Sequence, residues 1–123
     1  NGVVRNTLEY FSGFNADLLV YLGPAIGASA YEVGREVLAQ FRSMAQRDNH
    51  SKQITAAFTS SVGGSQSDRL KANLYSLAIA ELNACNVSEI YGGNCCTFSE
   101  PERFYSYRRD GITGRHASLI WIK

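Results

Sequence analysis

The richest concentration of chemically capable side chains lies near the end of the chain, in residues 104–115. This stretch holds three arginines, one aspartate, two tyrosines and two glycines: Arg108, Arg109, Arg115, Asp110, Tyr105, Tyr107, Gly111 and Gly114. Arginine presents N–H donors in a planar fork that suits phosphate or carboxylate. Glycine lets the backbone turn close to a ligand. The composition therefore indicates a site for an anion or another polar ligand.

The same residues also suit an exposed hairpin. Asp110-Gly111 is a turn signal between two candidate strands, 103–108 and 117–122. Strand ends often carry arginine and tyrosine for solubility and for packing across the sheet. Residue types alone leave both interpretations open.

The cysteines and histidines do not complete a second site. The chain has three cysteines, Cys85, Cys95 and Cys96, and an odd number cannot all pair within the chain. Cys95 and Cys96 are adjacent, and a disulfide between neighbours is strained. We therefore expect free thiols in a reducing cytoplasm. A cysteine nucleophile needs a neighbouring general base, and neither histidine is placed in the sequence to act as a base for these cysteines. We expect His50 to be solvated, while the spacing of His116 to the cysteines matches no zinc pattern.

Composition limits the class of protein. The chain has 123 residues, of which 45% are hydrophobic and 19% charged, and its net charge is +1. These values predict one globular domain without the positive field that nucleic acid or an anionic membrane attracts. There is no apolar run long enough to span a membrane and no apolar signal sequence at the start, so we expect a cytoplasmic protein.

The spacing of apolar residues predicts the elements of the first half. Val4, Leu8 and Phe11 have helical spacing without a capping residue before them. Residues 17–22 predict a buried strand, and the loop 23–27 then leaves its carboxyl end, where α/β sheets often bind ligands. The next helix is predicted to begin at Ser29 or Tyr31, along an apolar stripe: Val33, Val37, Phe41 and Met44.

In the second half, residues 53–58 predict a strand and residues 60–67 a loop. A helix is predicted from Ser67 or Asp68 to Cys85, with Cys85 in the core, and residues 87–91 predict a short strand. Residues 119–122 are apolar throughout, as in a strand buried on both faces. Together these elements predict an α/β (α+β-like) fold, a layered domain with a mixed β-sheet flanked by helices.

Several motifs occur in an order and spacing that resemble one protein family. They are Leu22-Gly23-Pro24-Ala25-Ile26-Gly27, Tyr31-Glu32-Val33-Gly34, Cys96-Thr97, Tyr105 to Gly111 with Thr113-Gly114-Arg115, and Ala117 to Trp121. On these motifs the chain resembles the laccase-domain family, the multicopper polyphenol oxidoreductases, which are also described as purine nucleoside phosphorylases. The resemblance covers nearly the whole chain.

The resemblance implies that residues 1–123 are the C-terminal half of a single laccase-type domain. In the family, zinc or copper is bound by two histidines and a cysteine of the N-terminal half. The resemblance therefore implies no metal ligand in this chain. The implied partners are that missing half and small-molecule substrates, a purine nucleoside with phosphate or a phenolic compound, without nucleic acid or membrane. On this interpretation the chain alone is inactive.

The resemblance also implies roles for individual residues. Arg109 matches a family arginine implicated in activity and is the predicted catalytic residue, with phosphate or a polar group of the nucleoside as its ligand. Tyr107, Arg108 and Asp110 are the predicted substrate-binding neighbours. Asp110 has the further possibility of orienting an arginine or making the turn.

The implied function is phosphorolysis of purine nucleosides such as adenosine, inosine and guanosine, with adenosine deamination as an extension. Copper-dependent oxidation of polyphenols is the alternative that the family name carries. A non-catalytic fragment or scaffold is the third possibility, and editing of peptidoglycan precursors has also been attached to the family.

Overall fold

The computed structural model describes residues 2–11, 18–61 and 68–120. In chain order the helices are α1 Val3–Glu9, α2 Arg35–Ser43, α3 Asp48–Ala56, α4 Leu74–Ala84 and α5 Tyr107–Asp110. The strands are β1 Leu19–Leu22, β2 Glu32–Gly34, β3 Phe58–Ser60, β4 Arg69–Ala72 and β5 Glu89–Gly92. The predicted class, mixed α/β in layers, is confirmed.

Two separate sheets replace the single mixed sheet that the sequence suggested. Strands β1 and β5 pair in parallel, from Leu19 opposite Glu89 to Leu22 opposite Gly92. The other sheet is antiparallel in the order β2-β4-β3. Parallel strands end at the same edge, so the loops after β1 and β5 leave side by side.

The core lies between the antiparallel sheet and helices α2 to α4. Ile54 of α3 and Ala72 of β4 are fully buried, and Leu77 of α4 is nearly so. Tyr31, Val37 and Phe41 pack at its margin. Since burial of apolar surface is the main favourable term in folding, this three-helix face holds the described part together.

Three predicted elements were wrong in type or position. Residues 32–34 form a strand before α2 because they pair with β4, although Val33 continues the apolar stripe of that helix. Residues 53–56 belong to helix α3 and only 58–60 to a strand. Residues 69–72 form β4 instead of the first turns of α4, which begins after Asn73.

Three predictions of burial were also wrong. The strand predicted to be buried, β1, exposes Leu19 and Tyr21 because no described residue covers that face. His50 is 3% exposed instead of solvated, because it lies on the inner face of α3, where Nε2 is 3.1 Å from Glu81 Oε1. Cys85 caps the end of α4 at intermediate exposure and is not a core residue.

The hairpin predicted near the end of the chain does not form. Residues 107–110 are helical, and no strand occurs in residues 103–120. Leu119 and Ile120 are exposed, so their apolar character does not place them in the core of this chain. Residues 62–67 of the predicted loop and 121–122 of the predicted last strand lie outside the described ranges.

Candidate functional site

The candidate site is built on two loops that leave the carboxyl ends of β1 and β5. The first loop covers residues 23–30 and the second residues 93–106. Backbone bonds join them: Gly93 N–H donates to Leu22 O at 3.1 Å, and Thr97 N–H donates to Ala25 O at 3.0 Å. The position predicted for the first loop, at the end of a strand, is confirmed.

Tyr75 of α4 links the two loops through its hydroxyl group. Its hydroxyl accepts the Ala25 N–H at 2.8 Å and donates to Cys95 O at 2.9 Å. One phenol thus satisfies a backbone group in each loop, which fixes their separation. Sequence reasoning missed Tyr75 because a tyrosine on an apolar helix carries no sign of a distant partner.

Cys96 joins the loops a second time. Its Sγ lies 3.1 Å from Gly27 N, which donates to it, and 3.3 Å from Ser99 Oγ. Burial opposes ionisation, but hydrogen bonding with the Ser99 hydroxyl and with the backbone N–H groups of Gly27, Ser99 and Phe98 lowers the pKa of the Cys96 thiol below its ordinary value. Donors around the sulfur favour the thiolate.

A carboxylate organises the other end of the second loop. Glu100 Oε1 accepts the Cys96 N–H at 2.6 Å, and Glu100 Oε2 pairs with Arg103. The Cys96 bond and the charge of Arg103 lower the pKa of Glu100. Arg103 Nη2 also lies 3.9 Å from Cys95 Sγ.

Arg109 of α5 is held entirely by the chain itself. Nη1 donates to Thr97 O at 2.8 Å and Phe98 O at 3.0 Å, and Nη2 donates to Phe104 O at 3.0 Å. Nε and Nη2 donate to the two carboxylate oxygens of Asp110, each at 2.8 Å. The five N–H groups of a guanidinium therefore meet five acceptors. Arg109 braces the second loop against α5.

Asp110 is committed to this brace. The hydrogen bonds from Arg109 lower the pKa of the Asp110 carboxyl, so it is ionised over a wider pH range than an ordinary aspartate. Of the roles left open for Asp110, orienting an arginine is the one this geometry supports.

Arg108 projects away from the brace. Its Cζ lies 5.4 Å from the centroid of the Tyr31 ring, over the ring face. Among the described residues it forms no hydrogen bond or ion pair, so its N–H groups face solvent. Tyr31 packs against the core, and its carbonyl accepts the Ala72 N–H at 2.9 Å.

Tyr107 is 80% exposed and borders an open cleft of about 570 Å³. The cleft is lined by Tyr105, Tyr107, Arg115, His116 and residues 111–114. Aromatic faces beside an arginine suit a planar, polar ligand.

The structure thus divides the four predicted site residues. It brings Arg109 and Asp110 together, sets Arg108 on Tyr31, and leaves Tyr107 on the cleft. Their roles toward substrate remain predictions.

The described residues form no binding site for a metal ion. They contain no group of three or more His, Cys, Asp or Glu side chains that could bind one. His50 faces Glu81, Cys95 faces Arg103, and His116 packs beside Phe104 with ring centroids 6.0 Å apart. The donor set of these parts of the chain therefore does not fit a zinc or copper centre. Within the same ranges, no helix is long and apolar enough to cross a membrane.

Comparison with known proteins extends this picture. The family described as multi-copper polyphenol oxidoreductase laccase matches residues 1–123. A protein of Haemophilus influenzae named purine nucleoside phosphorylase is 38% identical over 123 residues, which are 100% of this chain and 47% of that protein. A protein of Pseudomonas aeruginosa with the same name is 42% identical over 122 residues, 99% of this chain and 47% of that protein.

Solved structures share the fold. A Neisseria meningitidis protein superposes with a TM-score of 0.75 at 36% identity, over 89% of this chain and 41% of that one. A Bacillus licheniformis hypothetical protein gives a TM-score of 0.74 at 23% identity, over 89% of this chain and 40% of that one. The chain spans about half the length of the curated relatives it matches.

Proposed function

Because the chain belongs to the multi-copper polyphenol oxidoreductase laccase family, we propose that it forms part of a purine nucleoside phosphorylase. The observation that carries the proposal is the name shared by its relatives, which are 38% and 42% identical over nearly the whole chain. The cleft beside α5 agrees with it, since its tyrosine rings suit a base and Arg115 suits an anion.

We propose further that residues 1–123 act as the C-terminal half of a longer domain. Leu19 and Tyr21 on β1 and Tyr91 on β5 lie on one face of the parallel pair and are 67%, 69% and 50% exposed. Parallel sheets are normally covered on both faces. Helix α1 buries no residue, and Val3 is 73% exposed. A preceding half would cover these surfaces.

The proposed reaction is phosphorolysis. A phosphate oxygen forms a bond to the anomeric carbon of ribose, and the bond from that carbon to the purine nitrogen breaks. The electron pair leaves with the base, which takes up a proton, and ribose 1-phosphate is the second product. The contribution of this half is to bind and orient phosphate near α5, because a cation held in place offsets the phosphate charge.

We propose that the metal which the family description implies, zinc or copper, is bound outside residues 1–123. The described residues do not fit it, so the steps proposed for this half involve only its own side chains. Adenosine deamination is a further proposed activity of the complete domain.

Copper-dependent oxidation of phenols is the second candidate, which the description of the matched family favours. The two candidates differ in their co-substrate. The test uses the intact protein that contains this chain, with its metal content measured. Release of free base from adenosine, inosine or guanosine that depends on phosphate supports the phosphorylase. Oxygen uptake with a phenolic substrate and no base release supports the oxidase, and an inert, metal-loaded protein supports a scaffold.

A further inference from the structure

The arginine predicted to bind phosphate has no donor left for it. Each N–H of Arg109 is already paired with Thr97 O, Phe98 O, Phe104 O or the Asp110 carboxylate. An incoming phosphate would have to displace one of these acceptors and leave it without its donor. Unpaired acceptors in a half-buried place are costly, so the arrangement resists such a change.

Its neighbour Arg108 has the opposite properties. Successive residues on a helix point about 100° apart, so Arg108 leaves α5 in a different direction from Arg109. It is exposed, and its guanidinium lies over the Tyr31 ring, with 5.4 Å from Cζ to the centroid. An aromatic face supports a guanidinium while its edges stay open to an anion.

Tyr31 is a fixed support. Its ring packs against the core, and its carbonyl is bonded to Ala72 of β4. Neither neighbouring carboxylate forms an ion pair with Arg108, since Asp110 is paired with Arg109 and Glu32 Oε1 accepts the Ser61 hydroxyl. Within the described part of the chain, the Arg108 guanidinium is therefore not committed to an ion pair.

We propose that Arg108, held over Tyr31, is the residue of this half that contacts the substrate phosphate. Arg109 is a positioning residue that acts through Arg108, because its brace fixes α5 relative to the second loop. This assignment rests on the proposed phosphorolysis, and it identifies Arg108 as the side chain that binds the phosphate in that reaction.

The test uses inorganic phosphate and the intact protein. It measures the KM for phosphate in the reaction and the affinity for phosphate by calorimetric titration. Arg108→Gln is expected to weaken phosphate binding and raise the KM for phosphate about 10- to 100-fold, the usual range for a charge-assisted hydrogen bond. The KM for nucleoside stays within about 2-fold, so the loss is specific to phosphate. Tyr31→Leu weakens phosphate binding about 3-fold, while Tyr31→Phe, which keeps the ring, does not.

A double variant separates positioning from contact. If Arg109 acts through Arg108, adding Arg109→Lys to Arg108→Gln leaves phosphate affinity at the level of Arg108→Gln alone. If Arg109 itself binds phosphate, the two losses add, and the assignment is overturned. Arg42→Gln, an exposed arginine on α2, is the matched control and is expected to bind phosphate as the wild type does.

Other outcomes are equally decisive. Unchanged phosphate affinity in Arg108→Gln, or a larger loss in Arg115→Gln, overturns the assignment. Phosphate binding that requires Arg108 in a protein that releases no base supports the assignment and contradicts the proposed reaction. A wild-type protein that binds no phosphate overturns both.

Discussion

Arg109 and Cys96 show how single side chains join pieces that are distant in sequence. Arg109 reaches three carbonyls between residues 97 and 104, and Cys96 Sγ accepts from Gly27. The sequence marked Arg109 as important, but residue type could not say whether it faces a ligand or the chain. Only the positions of the carbonyls decide that.

The ionisation of Cys96 gives the first prediction. Because hydrogen bonds from Ser99 and from three backbone N–H groups lower its pKa, the thiolate forms at lower pH than in an ordinary thiol. The rate of alkylation, followed for the Cys96 peptide by mass spectrometry across pH, should therefore rise at lower pH than that of a free cysteine peptide. Ser99→Ala removes one donor and should move the profile back upward. A profile that matches the free peptide and ignores Ser99→Ala contradicts this account.

At the scale of elements, the parallel pair β1 and β5 positions the site, because both loops leave its carboxyl edge. Gly92 ends β5 with φ of +82°, and a Cβ there would meet the Leu22 carbonyl. Glycine is the residue that adopts this conformation without steric cost. The close approach of the two strand ends thus requires glycine at this position.

A pair of glycine variants tests this dependence. Gly92→Ala is expected to lower the free energy of unfolding by more than the ~1 kcal/mol that a left-handed conformation costs a non-glycine residue, because the backbone clash adds to it. Gly111→Ala is the matched control, since Gly111 has φ of +70° and nothing within 4 Å of a Cβ. Urea unfolding of both variants measures the difference. Equal losses of unfolding free energy in the two variants would show that the close approach of the Leu22 carbonyl to Gly92 does not affect stability.

How far the sequence predicts the elements depends on what sets their boundaries. Helix α1 and strands β1 and β5 were expected where they occur, since their short apolar patterns and glycines are local signals. Strand β4 was predicted as helix because Leu70, Leu74 and Leu77 have helical spacing. Leu70 and Ala72 also alternate as in a strand, and pairing with β2 and β3 decides between the two patterns.

Helix α3 was missed although a signal for it exists. His50, Ile54 and Ala57 are buried at helical spacing, and Asp48 lies in the first turn, where the helix dipole favours an anion. The polar character of residues 46–53 concealed this pattern. In the site, composition indicated residues 104–115 and the family resemblance singled out Arg109 and Asp110, whereas Tyr75 and Tyr31 act through contacts that only the tertiary structure creates.

At the scale of the whole molecule, the exposed apolar surface is the dominant feature. The face of Leu19, Tyr21 and Tyr91 has no cover from the described residues. Exposed patches of this kind mark interaction surfaces or aggregation hazards. This surface is what the proposed half-domain arrangement would explain.

A comparison of two chains tests the arrangement. Residues 1–123 alone should bind a hydrophobic dye strongly and self-associate, and a longer chain that includes the preceding half should do neither. Replacing Leu19 and Tyr21 with serine should reduce dye binding by residues 1–123, while Ile112→Ser, at a 99% exposed position of the cleft and outside this face, should have a smaller effect. Equal dye binding by the short and the long chain would contradict the half-domain proposal.

The central claim is that the complete domain transfers the ribose of a purine nucleoside to phosphate. The most direct measurement follows ribose 1-phosphate by phosphorus NMR and free base by chromatography, in one reaction of the intact protein with inosine and phosphate. The account predicts equal amounts of the two products and no base release when phosphate is left out. Base release without phosphate, with free ribose as the other product, would contradict it, as would the absence of both products.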